Sequence, residues 1–353
     1  MLERLTRSLA AAGKGTRIHS CPDGTRLLLL PYGARVLGLF AAGSEENFYW
    51  TNRALQKGDS ATALLEQDGW HNTGGDRTWL TPELDIFFPD YPKAGPHWEP
   101  PQLDASEYRL MDTDEGVGMR QSMTLYFARP GRSVELELSK WLSPAANPLR
   151  YERDLAEILP SVVYAGYTQR TTLTLRGPSA REPVEVGLWN LIQLPHGGDL
   201  LIPTYCRVAP RILFGQIPPD ALVCGDHLVR FRMSLEGEQK IAVRAAAVTG
   251  RVGYLHSAGD RSSLVVRNFF VDPSGQYVDV PAQEPADLGY AVHAVNVNSS
   301  LGDFCELEYH APAIGQDVHH VHGEDVSRVW AFRGPHAAIA LLARRLLGAG
   351  DQD

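Results

Sequence analysis

The sequence predicts an all-β protein, an antiparallel sandwich with short helices at its periphery. Two observations support this prediction. Short apolar runs recur along most of the 353 residues, and clusters of turn residues separate them. Glycine (33 residues) and proline (24 residues) exceed the average usage of about 7% and 5%, as expected where tight turns join many short strands. Because no helical pattern alternates with the strands, antiparallel sheets are favoured over a parallel βαβ fold.

The strand pattern begins with a hairpin. The apolar runs Arg26–Leu30 and Arg35–Phe40 flank a Pro-Tyr-Gly turn signal. Residues 134–138 (VELEL) alternate strictly, which is typical of a half-buried strand. Further strands are predicted at residues 119–127, 171–175, 184–194, 241–248, 264–271, 290–297, 304–309 and 326–332.

Helices are predicted mainly at the two ends. Leucines at positions 2, 5 and 9 give residues 1–13 the spacing of a short amphipathic helix. Residues 335–347 start with proline and stop before Gly348, as a capped helix does. A third, short helix is predicted to begin at Pro148. Since no repeat or linker divides the sequence, we expect a single domain over residues 1–353.

Charge and cysteine usage restrict the class of protein. The net charge of −9 argues against nucleic acid or an anionic membrane as partner. Residues 1–13 lack the apolar core of a signal peptide, and no run approaches the roughly 20 apolar residues of a membrane span. We therefore expect a cytoplasmic location. The cysteines are scattered and predict neither disulfides nor a cysteine zinc site: Cys21, Cys206, Cys224 and Cys305.

Residues 70–89 (WHNTGGDRTWLTPELDIFFP) form the first candidate binding segment. Paired glycines allow a close backbone approach, Arg77 offers forked donors, and Trp79 offers an apolar face. A sugar needs this combination, because its hydroxyls and its C–H face require different partners. Asp76 and Glu83 add carboxylates. The alternative is a structural loop with Arg77 paired to a neighbouring carboxylate and Trp79 in the core.

Residues 304–312 (FCELEYHAP) form the second candidate. The two-residue period of a strand puts Glu306, Glu308 and His310 on one face. Two carboxylates about 7 Å apart would push one pKa upward, as general acid/base catalysis requires. The alternative is a solvated sheet face.

The histidines near residue 320 are the candidate metal ligands of the sequence. His319, His320 and His322 form a histidine cluster, but on a strand at most two of them share a face, so His310 or Glu308 would have to complete a site. We expect no metal and no cofactor, and the sequence has no phosphate-binding glycine loop.

Lys240 opens a predicted strand, where an exposed edge charge is the usual role.

Four segments in order connect the sequence with a known family: residues 33–36 (GARV) leading to 47–50 (NFYW), residues 74–79 (GGDRTW) with Pro82 and Glu83, residues 187–195 (GLWNLIQLP), and residues 306–312. In this order the sequence resembles the galactose mutarotase-like (aldose 1-epimerase-like) superfamily, in its uncharacterised bacterial branch. The resemblance covers residues 25–332. It implies a β-supersandwich of antiparallel sheets and a mono- or oligosaccharide as partner.

The resemblance also implies roles for individual residues. Aldose 1-epimerases use a late-strand glutamate as base at the anomeric hydroxyl, and Glu306 looks like that base. Asn52 and Arg53 are similar to the Asn-Arg pair that holds the sugar. Trp189 and Lys240 fall where the families place substrate contacts, and Glu308 would join them.

The general acid departs from the epimerase pattern. Where the epimerases have the acid histidine, three residues ahead of an aromatic-Asn-Leu triplet, this sequence has Val186. His196 lies nearby, and His71 is similar to the histidine of the epimerase His-Gly-Gly, so both are candidate acids. We therefore expect a carbohydrate-active protein, an aldose 1-epimerase-like isomerase if catalytic. The alternatives are a non-catalytic carbohydrate-binding protein and a divergent glycoside lyase or hydrolase.

Overall fold

The computed structural model describes residues 1–93, 95–114, 116–177, 183–316 and 319–349, so the end of the expected domain, residues 350–353, lies outside it. The described chain forms two large antiparallel sheets and a few short helices, and the all-β fold class is confirmed. The strands, numbered along the chain, are β1 Arg17–Ser20, β2 Arg26–Leu30, β3 Arg35–Phe40, β4 Asp76–Thr81, β5 Arg109–Thr113, β6 Gly116–Phe127, β7 Arg132–Pro144, β8 Val163–Leu175, β9 Gly187–Pro195, β10 Gly198–Pro203, β11 Arg211–Phe214, β12 Leu222–Cys224, β13 Leu228–Met233, β14 Gly237–Val243, β15 Arg251–Ala258, β16 Arg261–Phe269, β17 Val292–Ser299, β18 Gly302–His310 and β19 His322–Pro335.

The two sheets draw strands from distant parts of the sequence. The first sheet has the spatial order β1-β2-β3-β4-β9-β18-β17-β14-β11. The second sheet has the order β12-β13-β10-β15-β16-β19-β8-β7-β6-β5. The centre of the first sheet, β4-β9-β18-β17-β14, therefore brings together residues as far apart in sequence as Arg77 and Glu306, which are separated by 229 positions, and this is where the candidate residues meet.

The helices lie at the ends and edges of the sheets: α1 Leu2–Ala11, α2 Gly58–Glu66, α3 Glu83–Ile86, α4 Pro101–Asp104 and α5 His336–Leu347. The leucines of α1 pack on β2, and α5 packs on β15, β16 and β19. The helix predicted to open at Pro148 is replaced by two short 3-10 turns, Arg153–Leu155 and Leu159–Ser161. Leu149 and Leu155 bury their side chains in the same apolar cluster as α5, so this segment is held by packing without a continuous helix. Among the described residues, no helix has the length and apolar character needed to cross a membrane.

A buried charge cluster joins the two sheets. Asp76 on β4 lies fully buried between them and accepts hydrogen bonds from Lys140 on β7 at 3.0 Å and Tyr167 on β8 at 2.5 Å. It also pairs with Arg267 on β16. Burial opposes the charge of Asp76, but Arg267 and Lys140 outweigh it, and the pKa of the carboxyl is lowered. Asp76 therefore ties the first sheet to three strands of the second.

Candidate functional site

The candidate site lies on the face of the first sheet that points away from the second sheet. Consecutive strand residues point to opposite sides. On β18, Cys305, Leu307 and Tyr309 enter the core between the sheets, so Glu306 and Glu308 point to the other face. On β4, Asp76 points into that core and Arg77 away from it. The site therefore collects the outward-facing residues of five neighbouring strands.

Glu306 is held from two strands at once. Arg77 on β4 and Gln193 on β9 each donate to its Oε1 atom at 2.8 Å. The guanidinium of Arg77 lies 4.1 Å from the ring centre of Trp79 and 4.9 Å from that of Trp70. Glu306 is 7% exposed, and Arg77 is buried. The result is an oriented carboxylate beside an aromatic wall.

Glu308 is completely buried beside Glu306. Its Oε2 atom accepts a hydrogen bond from Trp189 Nε1 at 2.9 Å and lies 3.7 Å from Lys240 Nζ. Burial raises the pKa of Glu308 to about 8, the Glu306 carboxylate adds to the increase, and Lys240 opposes it. The two carboxyl groups of this strand are therefore in different electrostatic environments.

A second layer of charges comes from the segments that follow β4. Glu83 at the start of α3 lies 3.5 Å from Lys240 Nζ and 3.5 Å from His97 Nε2, while His97 Nδ1 lies 3.1 Å from Glu99. Burial acts against the charge on Glu83, but Lys240 and His97 lower its pKa to about 2. Burial likewise acts against protonated His97, but Glu83 and Glu99 raise its pKa to about 9. His97 is therefore a histidine that carries its proton at neutral pH, with its side chain one-third exposed.

Two further histidines lie beyond Glu308 on the same face. The rings of His293 on β17 and His310 on β18 stack with centres 4.1 Å apart. Burial lowers the pKa of His310 to about 3, and burial with His310 nearby lowers that of His293 well below its usual range. Asp279 lies beside them and accepts a hydrogen bond from the backbone of Glu83 at 2.9 Å. Burial and Glu83 raise the pKa of Asp279 to about 6.

Most of the candidate residues from the sequence come together on this face: Arg77, Trp79, Glu83, Trp189, Lys240, Glu306 and Glu308. Lys240 is buried against Trp189, with its Nζ atom 4.7 Å from the ring centre, and it bridges Glu83 and Glu308. The expectation of a solvated edge charge therefore does not hold for Lys240, because its strand β14 is flanked by β17 and β11 and is not the edge of the sheet.

Asp76 lies away from this face. The expectation that it contacts a substrate took Asp76 and Arg77 as one unit of a loop, but both belong to β4 and point to opposite sides of the sheet. Asp76 is 0% exposed and saturated by its core partners. It has a structural role between the sheets.

Neither candidate acid histidine contacts the carboxylates. The ring nitrogens of His71 lie 2.6 Å from the Tyr32 hydroxyl and 2.8 Å from the Gln67 carbonyl. His196 follows β9 in a turn, with Nε2 3.3 Å from the Leu235 carbonyl. Local partners therefore occupy His71 on both sides and hold His196 at the strand end.

The Asn-Arg pair lies at the rim. Asn52 caps the 3-10 turn Arg53–Gln56 by accepting from the Ala54 amide at 2.9 Å. Arg53 is 79% exposed and pairs with Asp303 at the start of β18. Asn52 therefore acts locally, and Arg53 is an exposed residue paired at the start of β18.

The histidines considered for a metal do not meet. His322 Nδ1 lies 2.8 Å from the Thr174 hydroxyl on the second sheet, and His320 Nδ1 lies 3.1 Å from the Gln316 side chain. His310 belongs to the first sheet. Within the described residues, the one group of three potential ligands is instead Asp279, His293 and His310.

Four residues of the site were missed from the sequence. The two-residue period of a strand could have identified two of them. Gln193 lies on the same face of β9 as Trp189, and His293 lies on the same face of β17 as Val295. His97 and Asp279 lie in segments without regular secondary structure. No periodic pattern points to them, and only the tertiary fold brings them to Glu83.

Comparison with known proteins agrees with this architecture. A model for a family of unknown function (DUF6786) matches residues 17–352, and no curated protein matches the sequence. A galactose mutarotase-like protein from Lactobacillus casei is 10% identical with a TM-score of 0.52, over 90% of this chain and 100% of that chain. A galactose mutarotase related enzyme from Lactobacillus acidophilus is 9% identical with a TM-score of 0.43, over 92% and 97%. A Klebsiella pneumoniae protein assigned as an aldose 1-epimerase is 11% identical with a TM-score of 0.44, over 96% and 85%. The first likeness shows the galactose mutarotase-like fold.

Proposed function

The chain belongs to the family of unknown function DUF6786, and from its site we propose that it binds a neutral sugar on the outer face of the first sheet and interconverts the sugar's anomers. The observation that carries the proposal is Glu306, a carboxylate oriented by Arg77 and Gln193 at the edge of an aromatic wall. The galactose mutarotase-like fold agrees with it.

Glu306 is the proposed base. Its Oε1 atom is fixed by two donors, and 7% of the surface of the residue is exposed, where the proposal places the anomeric hydroxyl. A carboxylate in this state can accept the proton of an anomeric hydroxyl. Trp70, which is half-buried, is the proposed apolar surface on which the C–H face of a sugar ring packs, while Trp79 is buried beneath Arg77 in the core.

His97 replaces His71 and His196 as the proposed acid. It holds a proton at neutral pH, because Glu83 and Glu99 raise its pKa to about 9. It is linked through Glu83 and Lys240 to the carboxyl group beside Glu306. Its segment follows β4 and lies over Trp79, with the two ring centres 6.3 Å apart.

The proposed reaction is a proton-neutral ring opening and closure. Glu306 takes the proton of the anomeric hydroxyl, the bond between the anomeric carbon and the ring oxygen breaks, and His97 gives a proton to that oxygen. The open-chain aldehyde rotates about its first carbon–carbon bond. Reversal of both proton transfers closes the ring as the other anomer and restores both side chains.

The test follows a single anomer in solution by NMR. Freshly dissolved α-D-glucose, α-D-galactose and further aldoses are followed with and without protein. The proposal predicts faster equilibration for at least one aldose with wild type and the uncatalysed rate with Glu306→Gln. An unchanged rate across the whole panel would refute anomer interconversion. If a sugar still bound in that case, the protein would be a carbohydrate-binding protein of the same fold.

A further inference from the structure

Asp279, His293 and His310 form a compact group whose chemistry the proposed reaction does not use. One carboxylate oxygen of Asp279 and one ring nitrogen of each histidine lie within 4.8 Å of one another. The histidines are each 1% exposed, and Asp279 is half-buried. The group lies next to Glu308, since His293 and Glu308 are direct partners across β17 and β18.

The histidine ring nitrogens in this group have few hydrogen-bond partners. Among the described residues, neither nitrogen of His310 has a hydrogen-bond partner. His293 has only a weak contact with the backbone of Tyr290. Buried polar atoms without partners are costly in a folded protein, so several of them converging at one point indicate a ligand that they share.

The donor set suits a metal ion. Two imidazoles and one carboxylate bind divalent first-row transition metals, and an uncharged imidazole offers its lone pair without losing a proton. An ion about 2.1 Å from each ligand atom holds those atoms no more than about 4.2 Å apart, so small side-chain rotations would close the group around it.

Two more carboxyl groups lie next to the ligand group. Glu83 donates its backbone N–H to Asp279, Glu308 is paired with His293 across β17 and β18, and Lys240 contacts both side chains. Three protein ligands leave a coordination position open, as in catalytic zinc sites and unlike four-ligand structural sites.

We propose that Asp279, His293 and His310 bind one divalent transition-metal ion, of the class of Zn²⁺ or Co²⁺, on the sheet face that carries Glu306. The inference does not depend on anomer interconversion, because it rests on the ligand group alone.

The test measures metal binding directly. Chelator-treated, dialysed protein is titrated with Zn²⁺ by calorimetry and with Co²⁺ by visible absorption, and bound metal is counted after gel filtration. We expect one ion per chain and a Co²⁺ spectrum with nitrogen ligands. Asp279→Asn and His310→Gln should each weaken Zn²⁺ binding at least tenfold.

A matched control separates this group from other histidines. His322→Gln, on the second sheet, should bind Zn²⁺ as wild type does. Asp279 lies in a connecting segment and is half-buried, so Asp279→Asn decides the question if His310→Gln fails to fold, as judged by circular dichroism. Absence of binding to wild type, or binding that Asp279→Asn leaves unchanged, would overturn the proposal. Loss of binding in His322→Gln would place the site elsewhere and overturn it as well.

Discussion

The guanidinium of Arg77 and the carboxylate of Glu306 meet at 2.8 Å although they are 229 residues apart and strand β9 lies between their strands. Gln193 on that intervening strand donates to the same oxygen at the same distance. Three strands thus converge on one carboxylate atom. This arrangement orients Glu306 before any ligand arrives, which is the condition that a general base requires.

Replacement of Glu306 should remove catalysis, with circular dichroism used to check that the variant is folded. Glu306→Gln keeps the side chain's size and an acceptor oxygen but cannot take a proton. We expect the protein-dependent exchange rate of anomers to fall by about 100-fold or more, the usual contribution of a general base. The measurement is NMR equilibration of a single anomer. Glu324→Gln, an exposed change on β19, is the control and should exchange at the wild-type rate; equal rates for both variants would contradict the role of Glu306.

The rate should depend on the protonation of His97. Because the pKa of His97 is raised to about 9, the acid is present at pH 7 and is lost as pH rises through 9. We therefore expect the catalysed rate, after subtraction of the uncatalysed one, to fall with a midpoint near pH 9. His97→Gln should be slow at pH 7 and lack this midpoint. A wild-type profile that is flat from pH 7 to 10 would rule out His97.

The raised pKa of His97 also predicts how the free energy of unfolding depends on pH. The folded-state pKa of His97 exceeds its ordinary value of 6.5, so protonation favours the folded state. This contribution is complete below pH 6.5 and disappears as pH rises through 9. Urea unfolding of wild type and His97→Gln at pH 6 and pH 10 measures it. The variant should lose more stability at pH 6 than at pH 10; the opposite order would contradict the ion pairs of His97 with Glu83 and Glu99.

Loss of Asp76 from the charge cluster between the sheets should lower the free energy of unfolding strongly. Asp76→Asn leaves Lys140 and Arg267 buried without their shared carboxylate. Removal of one partner from a buried ion pair costs about 3–5 kcal/mol. Urea denaturation should show this loss, whereas Asp260→Asn at an exposed turn should change stability by less than about 0.5 kcal/mol. A loss below about 1 kcal/mol for Asp76→Asn would show that the cluster does not hold the sheets together.

The cysteines should differ in reactivity. Cys206 is exposed, whereas burial raises the pKa of Cys305 to about 12 and that of Cys21 to about 11. Because the thiolate is the reactive form, iodoacetamide should modify Cys206 first at pH 8 in the native protein. Peptide mass spectrometry over time gives the order. Modification of Cys305 as fast as Cys206 before unfolding would contradict its position between the sheets.

Much of the fold and part of the site follow from local patterns. The two-residue period predicts that Glu306 and Glu308 share a face, and recurring strands with turn residues predict the antiparallel class. Asp76 shows the limit of the same rule. Once residues 76–81 are a strand, alternation sends Asp76 and Arg77 to opposite faces, but the glycine pair ahead of them suggested a loop.

The remaining site residues depend on tertiary structure. His97 and Asp279 lie in irregular segments, 14 and 196 residues after Glu83, that both contact Glu83, and no local period marks them. His71 loosely resembles the histidine of the epimerase His-Gly-Gly, yet its ring nitrogens are bonded to Tyr32 and the Gln67 carbonyl. A pattern can predict which face a strand residue occupies, but the partners of a loop residue are decided by packing elsewhere in the chain.

The most direct test of the account is a crystal structure soaked with the aldose that the protein equilibrates fastest, or with D-galactose if none stands out. The account predicts a sugar on the outer face of the first sheet, with its anomeric hydroxyl within hydrogen-bond distance of Glu306, its ring oxygen toward His97 and its C–H face on Trp70. A sugar bound on any other surface, with Glu306 and His97 both free of contact, would contradict it.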